Sequence, residues 1–248
     1  CRAWDPPARA ALLEEARAMG PIDEGSLDQV RAALWKSVKR YGPKGKGSGK
    51  VYIEGHGYKS QYTHDEMWAI VKGGGKGEGL VVGIHGGGEG QGSADTGWNV
   101  KGCMGIYPQG LLIHGDNWNR VHGEKEILTF IEIAKAQYDI DPDRVYVMGF
   151  SMGGTGSWHM AGRFPDLLAG AVPGNGVLMA NPKSQLWTKE EVMAIQYGLV
   201  PNVRNLAVWF FCGTKDDHCM PGTFLYAWDM IQELKKEDPG GYGKIHFQ

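Results

Sequence analysis

Two hydrophobic periods alternate along this chain of 248 residues. Short, nearly continuous apolar runs have the length of single strands: LVVGI at 80–84, GLLIH at 110–114, RVYVMGF at 144–150, AGAV at 169–172 and NLAVWFF at 205–211. Stretches with helical spacing separate several of them. In 124–138, Ile127, Phe130, Ile131, Ala134 and Tyr138 fall on one side, and 153–164 and 224–237 also read as helices. VYIEG (51–55) and MWAIV (67–71) read as an early strand pair, and KIHFQ (244–248) begins a last strand. Strands that are apolar throughout are buried on both faces. The pattern therefore predicts an α/β fold, a mostly parallel central sheet with helices on both faces. Such sheets carry their chemistry at the carboxyl ends of the strands. LVVGI runs into His85 and glycines, and RVYVMGF into Ser151.

The opening of the chain has a different texture. Asp5 before Pro6 and Pro7 reads as a helix cap, with Leu12, Leu13, Ala16 and Met19 following at helical spacing and Gly20-Pro21 as the stop. Ser26 with Gln29 reads as a capping box for a second helix, whose Leu27, Val30, Leu34 and Val38 share a face. GPKGKGSGK (42–50) reads as a solvated linker, and its spacing is not that of a phosphate loop. The expected division is a helical extension over 1–43 and one catalytic α/β domain over 44–248.

Composition narrows the functional classes. A formal charge of -2 gives no electrostatic case for nucleic acid. No apolar segment reaches the roughly 20 residues that would cross a bilayer, so no integral membrane segment is expected. The four cysteines show no C-x-x-C spacing, and no ligand cluster suggests a metal or other cofactor. Cys212 and Cys219 could pair across a loop or stay free. The first residue is Cys1, so the expectation is a removed signal segment or a fragment. A secreted or periplasmic protein follows, with lipid attachment at Cys1 as one option and a cytoplasmic location left open.

The densest chemical signal is Gly149-Phe150-Ser151-Met152-Gly153, a G-x-S-x-G pattern. In a chain with 39 glycines the pattern alone is weak. Its context gives it meaning, because a strand leads in and a helix leads out. On such a corner the glycines remove side chains that would collide, and the serine hydroxyl projects above the sheet. The first amides of the helix there favour negative charge.

With its flanks, DPDRVYVMGFSMGGTGSWHMAGRFPD is similar to the nucleophile region of the α/β-hydrolase superfamily. It resembles most the feruloyl-esterase-like, polyhydroxybutyrate-depolymerase-like and prolyl-oligopeptidase-like branches. The resemblance extends over about residues 50–248. It implies Ser151 as nucleophile. His85-Gly86-Gly87-Gly88 resembles the family's oxyanion loop, implying donors from Gly86 or Gly87 with the amide of Met152. WFFCGTKDDHCMP (209–221) resembles the acid loop and puts Asp216 on the acid position, with Asp217 as competitor and Cys212 where the family carries histidine. The family's base histidine follows the last core strand, so it is expected beyond residue 248, with His218 as the alternative within the chain. His85 and His159 read as loop-orienting and packed residues. Trp98, His114 and Trp118 are expected to line the substrate pocket, the tryptophans as stacking surfaces, and 185–200 to form a small lid. The implied activity is hydrolysis of carboxylic esters through an acyl-enzyme. The alternatives are a peptidase, or a binding protein that keeps the fold without its base.

Overall fold

The computed structural model describes residues 14–15, 17–18, 20–21, 23–41, 50–53, 67–73, 77–87, 99–110, 118–119, 121–176, 198–216 and 222–248. The strands are β1 (Lys50–Ile53), β2 (Met67–Lys72), β3 (Glu78–Ile84), β4 (Cys103–Pro108), β5 (Ile140–Phe150), β6 (Gly170–Gly174), β7 (Ala207–Phe210) and β8 (Ile245–Phe247). They form one eight-stranded sheet in the order β1-β2-β4-β3-β5-β6-β7-β8. β2 runs antiparallel to both β1 and β4, and every pairing from β4 to β8 is parallel. Among the described residues the longer helices are α1 (Leu27–Tyr41), α2 (Val121–Gln137), α3 (Met152–Arg163) and α4 (Gly222–Glu237), and residues 14–15, 17–18 and 198–199 are also helical.

β3 and β5 lie side by side in the middle of the sheet, where Leu80, Val82, Ile84, Val145 and Val147 are fully buried. Apolar side chains there are shielded by neighbouring strands and by helices, so continuous runs rather than alternating ones are stable. α3 and α4 meet over β7. The Trp158 ring lies 4.9 Å from Phe210, Phe224 stacks at 6.2 Å and Phe247 at 4.7 Å. Each fully buried ring of this kind contributes about 1.5–3 kcal/mol relative to exposure. This cluster anchors the two elements that flank the ends of β5 and β7.

Several expectations are corrected. A strand that the pattern did not predict forms at Cys103–Pro108 and takes partners on both sides. The run predicted at 110–114 lies outside the described residues from Leu111 on, as do 115–117, and Trp118 sits in a turn. The strand read at 205–211 is shorter, Ala207–Phe210 plus a single bridge from Phe211 to Gly174. At the N-terminus the cap is Asp23, not Ser26. Its carboxylate accepts from the Ser26 amide at 3.1 Å and the Ser26 hydroxyl at 2.6 Å, closing a 3-10 turn (Glu24–Ser26) ahead of α1. Of the residues read as sharing a face of α1, Leu27 and Leu34 are exposed, whereas Trp35 packs against the core and Lys39 pairs with Asp139 at 2.6 Å. Asp5, the first helix up to Leu13, and residues 42–49 of the linker lie outside the described residues.

Candidate active site

β5 ends at Phe150 and α3 begins at Met152, leaving Ser151 alone at the corner. Its backbone has φ 56 and ψ -119, a positive φ that side chains rarely tolerate. The corner closes only because nothing projects from its neighbours. A Cβ on Gly149 would lie 2.4 Å from the Ile84 carbonyl oxygen, and one on Gly153 2.0 Å from the same atom. The strain is held by hydrogen bonds on both sides. The Ser151 amide donates to the Gly174 carbonyl at 2.9 Å, and the Thr155 amide donates to the Ser151 carbonyl at 3.0 Å.

Serine at the start of a helix ordinarily turns its hydroxyl back onto the first-turn amides. Ser151 does not, and its side chain makes no capping bond. The residue is half-buried rather than sealed. Its hydroxyl therefore stands available beside the positive end of α3.

The carboxyl end of β3 delivers the glycine loop to this spot. A Cβ on Gly86 would lie 3.5 Å from Ser151 Cβ, and one on Gly87 3.7 Å from Met152 Cβ. Ser151, Gly86, Gly87 and Met152 are thus neighbours in space. The loop is pinned from behind. His85 is buried, with Nε2 2.5 Å from the Gln109 carbonyl and Nδ1 2.8 Å from the Gly86 carbonyl. The indole N–H of Trp118 donates to the His85 carbonyl at 2.9 Å, with the two rings edge to face at 5.0 Å. Trp118 was expected to offer a substrate a stacking surface. That is corrected: it is 0% exposed, wedged under α3 where a Cβ on Gly156 would come within 2.3 Å of its own Cβ. A ring with no open face cannot stack on a ligand, and its role here is to hold the glycine loop.

Asp216 lies at the tip of the loop after β7, half-buried. Asn175 donates to its Oδ2 at 2.5 Å, and accepts from the Gly213 amide at 2.9 Å. Because Asn175 follows Gly174, the carbonyl partner of the Ser151 amide, serine and acid are tied to consecutive residues at the end of β6. Cys212 stands at the base of the loop, a free thiol pushed up from its ordinary pKa by burial first and by the Asp216 charge second. Nothing in the local sequence pattern singled out Asn175; the one signal is an asparagine between glycines just past a strand.

The described histidines have other surroundings. His159 on α3 meets Glu124 on α2 at 2.9 Å, and Arg163 reaches the same carboxylate oxygen at 2.9 Å. Burial holds the His159 pKa below its ordinary value, against the opposing pull of Glu124. His246 lies exposed on β8, opposite Trp209. Trp98, His114, Asp217, His218, Cys219 and 185–197 lie outside the described residues. No cluster of three potential metal ligands occurs among the described residues. A cavity of about 450 Å³ lined by Arg31, Trp35, Lys135 and Asp143 sits at the amino end of β5, roughly 25 Å along the strand from Ser151. It offers paired charges and no nucleophile.

Over residues 39–241 the chain matches the model of the family described as "Putative esterase". It belongs to that esterase family. Its stretch of 33% identity with poly(3-hydroxyalkanoate) depolymerase C of Paucimonas lemoignei covers 38% of this chain and 27% of that protein. Among solved structures, a thermostable esterase superposes with a TM-score of 0.55 at 20% identity, over 81% of this chain and 54% of its own. The acylaminoacyl peptidase of Pyrococcus horikoshii gives 0.56 at 13% identity, over 74% and 34%. The chain thus spans about half the length of that esterase and about a quarter of the depolymerase. At these identities the structural matches establish the α/β-hydrolase fold. In this chain the serine corner, the glycine loop and the Asp216 loop lie at the carboxyl ends of β5, β3 and β7.

Proposed function

We propose that this member of the esterase family hydrolyses carboxylic esters through an acyl-enzyme on Ser151. The observation that carries the reading is the Ser151 hydroxyl, withheld from helix capping by a positive φ and set next to Gly86. Ser151 Oγ attacks the acyl carbon and forms the C–O bond, and its proton passes to a histidine base. The carbonyl oxygen takes negative charge and is met by the amides of Met152 and of Gly86 or Gly87. The intermediate collapses, the C–O bond to the leaving group breaks, and the alkoxide takes the proton back. Water then repeats the sequence on the acyl-enzyme.

Asp216 is the group that orients the base and stabilises its protonated form. The reading assigns the base to a histidine following β8. The Gln248 carbonyl accepts from the Cys212 amide at 3.1 Å, so the carboxyl end of β8 is bonded to the loop that carries Asp216. Short hydroxyalkanoate esters are the first substrates to try, on the strength of the depolymerase likeness.

The test uses the protein expressed from its complete reading frame. A fluorophosphonate probe labels Ser151, p-nitrophenyl acetate turns over, and Ser151→Ala abolishes both. Absence of labelling in the parent protein would favour a binding role for the fold. Turnover surviving in Ser151→Ala would reject the nucleophile. Parallel assays on an acyl ester and the matching p-nitroanilide separate esterase from peptidase.

A further inference from the structure

We infer that Asn175 is the positioning residue for the Asp216 carboxylate, an inference that rests on the serine-hydrolase reading above. Asn175 makes three bonds to the acid loop. Its amide donates to the Phe211 carbonyl at 2.8 Å, its Oδ1 accepts from the Gly213 amide at 2.9 Å, and its Nδ2 donates to Asp216 Oδ2 at 2.5 Å. These partners fix the orientation of the side-chain amide, since a backbone N–H must meet oxygen and a carboxylate must meet N–H. An aspartate at 175 would set carboxylate against carboxylate, and a leucine or alanine would leave both the amide and the acid without this contact.

The backbone supports a role for the side chain rather than the turn. Asn175 has φ 41, in the left-handed region that glycine enters at no steric cost. Were the turn the only requirement, glycine would serve, and the chain does use glycine at 174 and 176. The strained asparagine adds only the side-chain amide. That amide reaches Asp216 from a residue whose predecessor holds the Ser151 amide. Asn175 therefore sets how the Asp216 carboxylate is directed relative to the serine. A carboxylate held by a fixed N–H donor presents itself to the base in a single orientation.

The test compares the parent protein with Asn175→Asp and Asn175→Gly, measuring kcat and KM on p-nitrophenyl acetate across pH. Asn175→Asp has the parent's shape but brings a second carboxylate against the first. Two such groups cannot both ionise freely, so the acidic limb of the kcat/KM profile moves to higher pH by about one unit or more. Asn175→Gly suits the backbone and lacks the amide; it lowers kcat about 10- to 100-fold and leaves KM within about twofold, as expected when an interaction made in the transition state is lost. A residue that merely shaped the loop would lower the melting temperature without moving the acidic limb. Parent-like pH profile and kcat in Asn175→Asp would overturn the inference. If that variant does not fold, parent-like kcat in Asn175→Gly overturns it. Turnover retained by Ser151→Ala would instead strike the underlying reading, so the two failures are distinguishable.

Discussion

Replacing Trp118 with phenylalanine keeps a buried ring and removes one N–H together with about 40 Å³ of side chain, which isolates the pin behind the glycine loop. The hydrogen bond to the His85 carbonyl is 2.9 Å long, between two buried residues. Leaving that carbonyl unpaired costs about 1–3 kcal/mol. The volume lost adds about 1 kcal/mol at the usual cavity coefficient. The sum, about 2–4 kcal/mol, should lower the melting temperature by roughly 5–15 °C for a domain of this size. Catalysis should suffer separately. His85 immediately precedes Gly86, so a slack His85 carbonyl lets the donors beside Ser151 drift. Full loss of one such donor costs about 100- to 1,000-fold in kcat, and misalignment part of that. We expect kcat to fall about 10- to 100-fold with KM within about twofold.

Trp158 supplies the control. It is equally buried, on α3, but its indole N–H finds no acceptor among the described residues. Trp158→Phe should cost no more than the cavity term, about 1 kcal/mol, and leave kcat unchanged. Circular dichroism melts and p-nitrophenyl acetate kinetics on both variants decide the matter. A Trp118→Phe protein that melts early yet retains parent kcat would refute the claim that the indole holds the oxyanion loop.

Three further outcomes are expected. Gly153→Ala drives a Cβ to within 2.0 Å of the Ile84 carbonyl oxygen and 2.9 Å of that of His85, both rigid backbone, and should destabilise by about 3 kcal/mol or more in urea unfolding; Gly86→Ala, whose nearest contacts are 3.4 and 3.5 Å, should instead keep its stability while losing kcat. Ser151→Gly and Ser151→Ala should both be inactive, but the glycine variant should be the more stable by about 1 kcal/mol in calorimetry, because it alone relieves the positive φ of 56. His159 titrates below its ordinary value because it is buried, so the unfolded chain takes up its proton first as pH falls; the stability it contributes is present above about pH 6.5 and is lost as pH drops through the lower folded value. Urea midpoints at pH 7.5 and 5.5 should therefore differ more in the parent than in His159→Gln, and equal differences would dismiss the argument.

What could be read from the sequence was what local backbone geometry forces. Gly149, Ser151 and Gly153 lie within five residues, and their spacing together with the apolar run before and the helical period after implies a strand-to-helix corner that projects the hydroxyl. The apolar runs of β3 and β5 were equally plain, since central parallel strands need no polar alternation. β4 was missed because Cys103–Pro108 contains a glycine and a proline and reads poorly as a strand; ladders to β2 and β3 on either side form it. In α1 the period identified residues that share a face but not which face meets the protein; Trp35 and the Lys39–Asp139 pair settle that. The site's supporting residues belong to the same non-local class. Trp118 acts on a carbonyl 33 positions away, and Asn175 on groups 38 and 41 positions away, with no local pattern to mark either. Each single bond of this kind is worth only about 1 kcal/mol to stability, so neither residue leaves a compositional trace, yet each meets a group whose direction matters to the chemistry. In this fold the proposed nucleophile is written into a short stretch of chain, while the aim of the glycine loop and of the Asp216 carboxylate beside it depends on contacts that exist only once β3, β6 and β7 lie in one sheet.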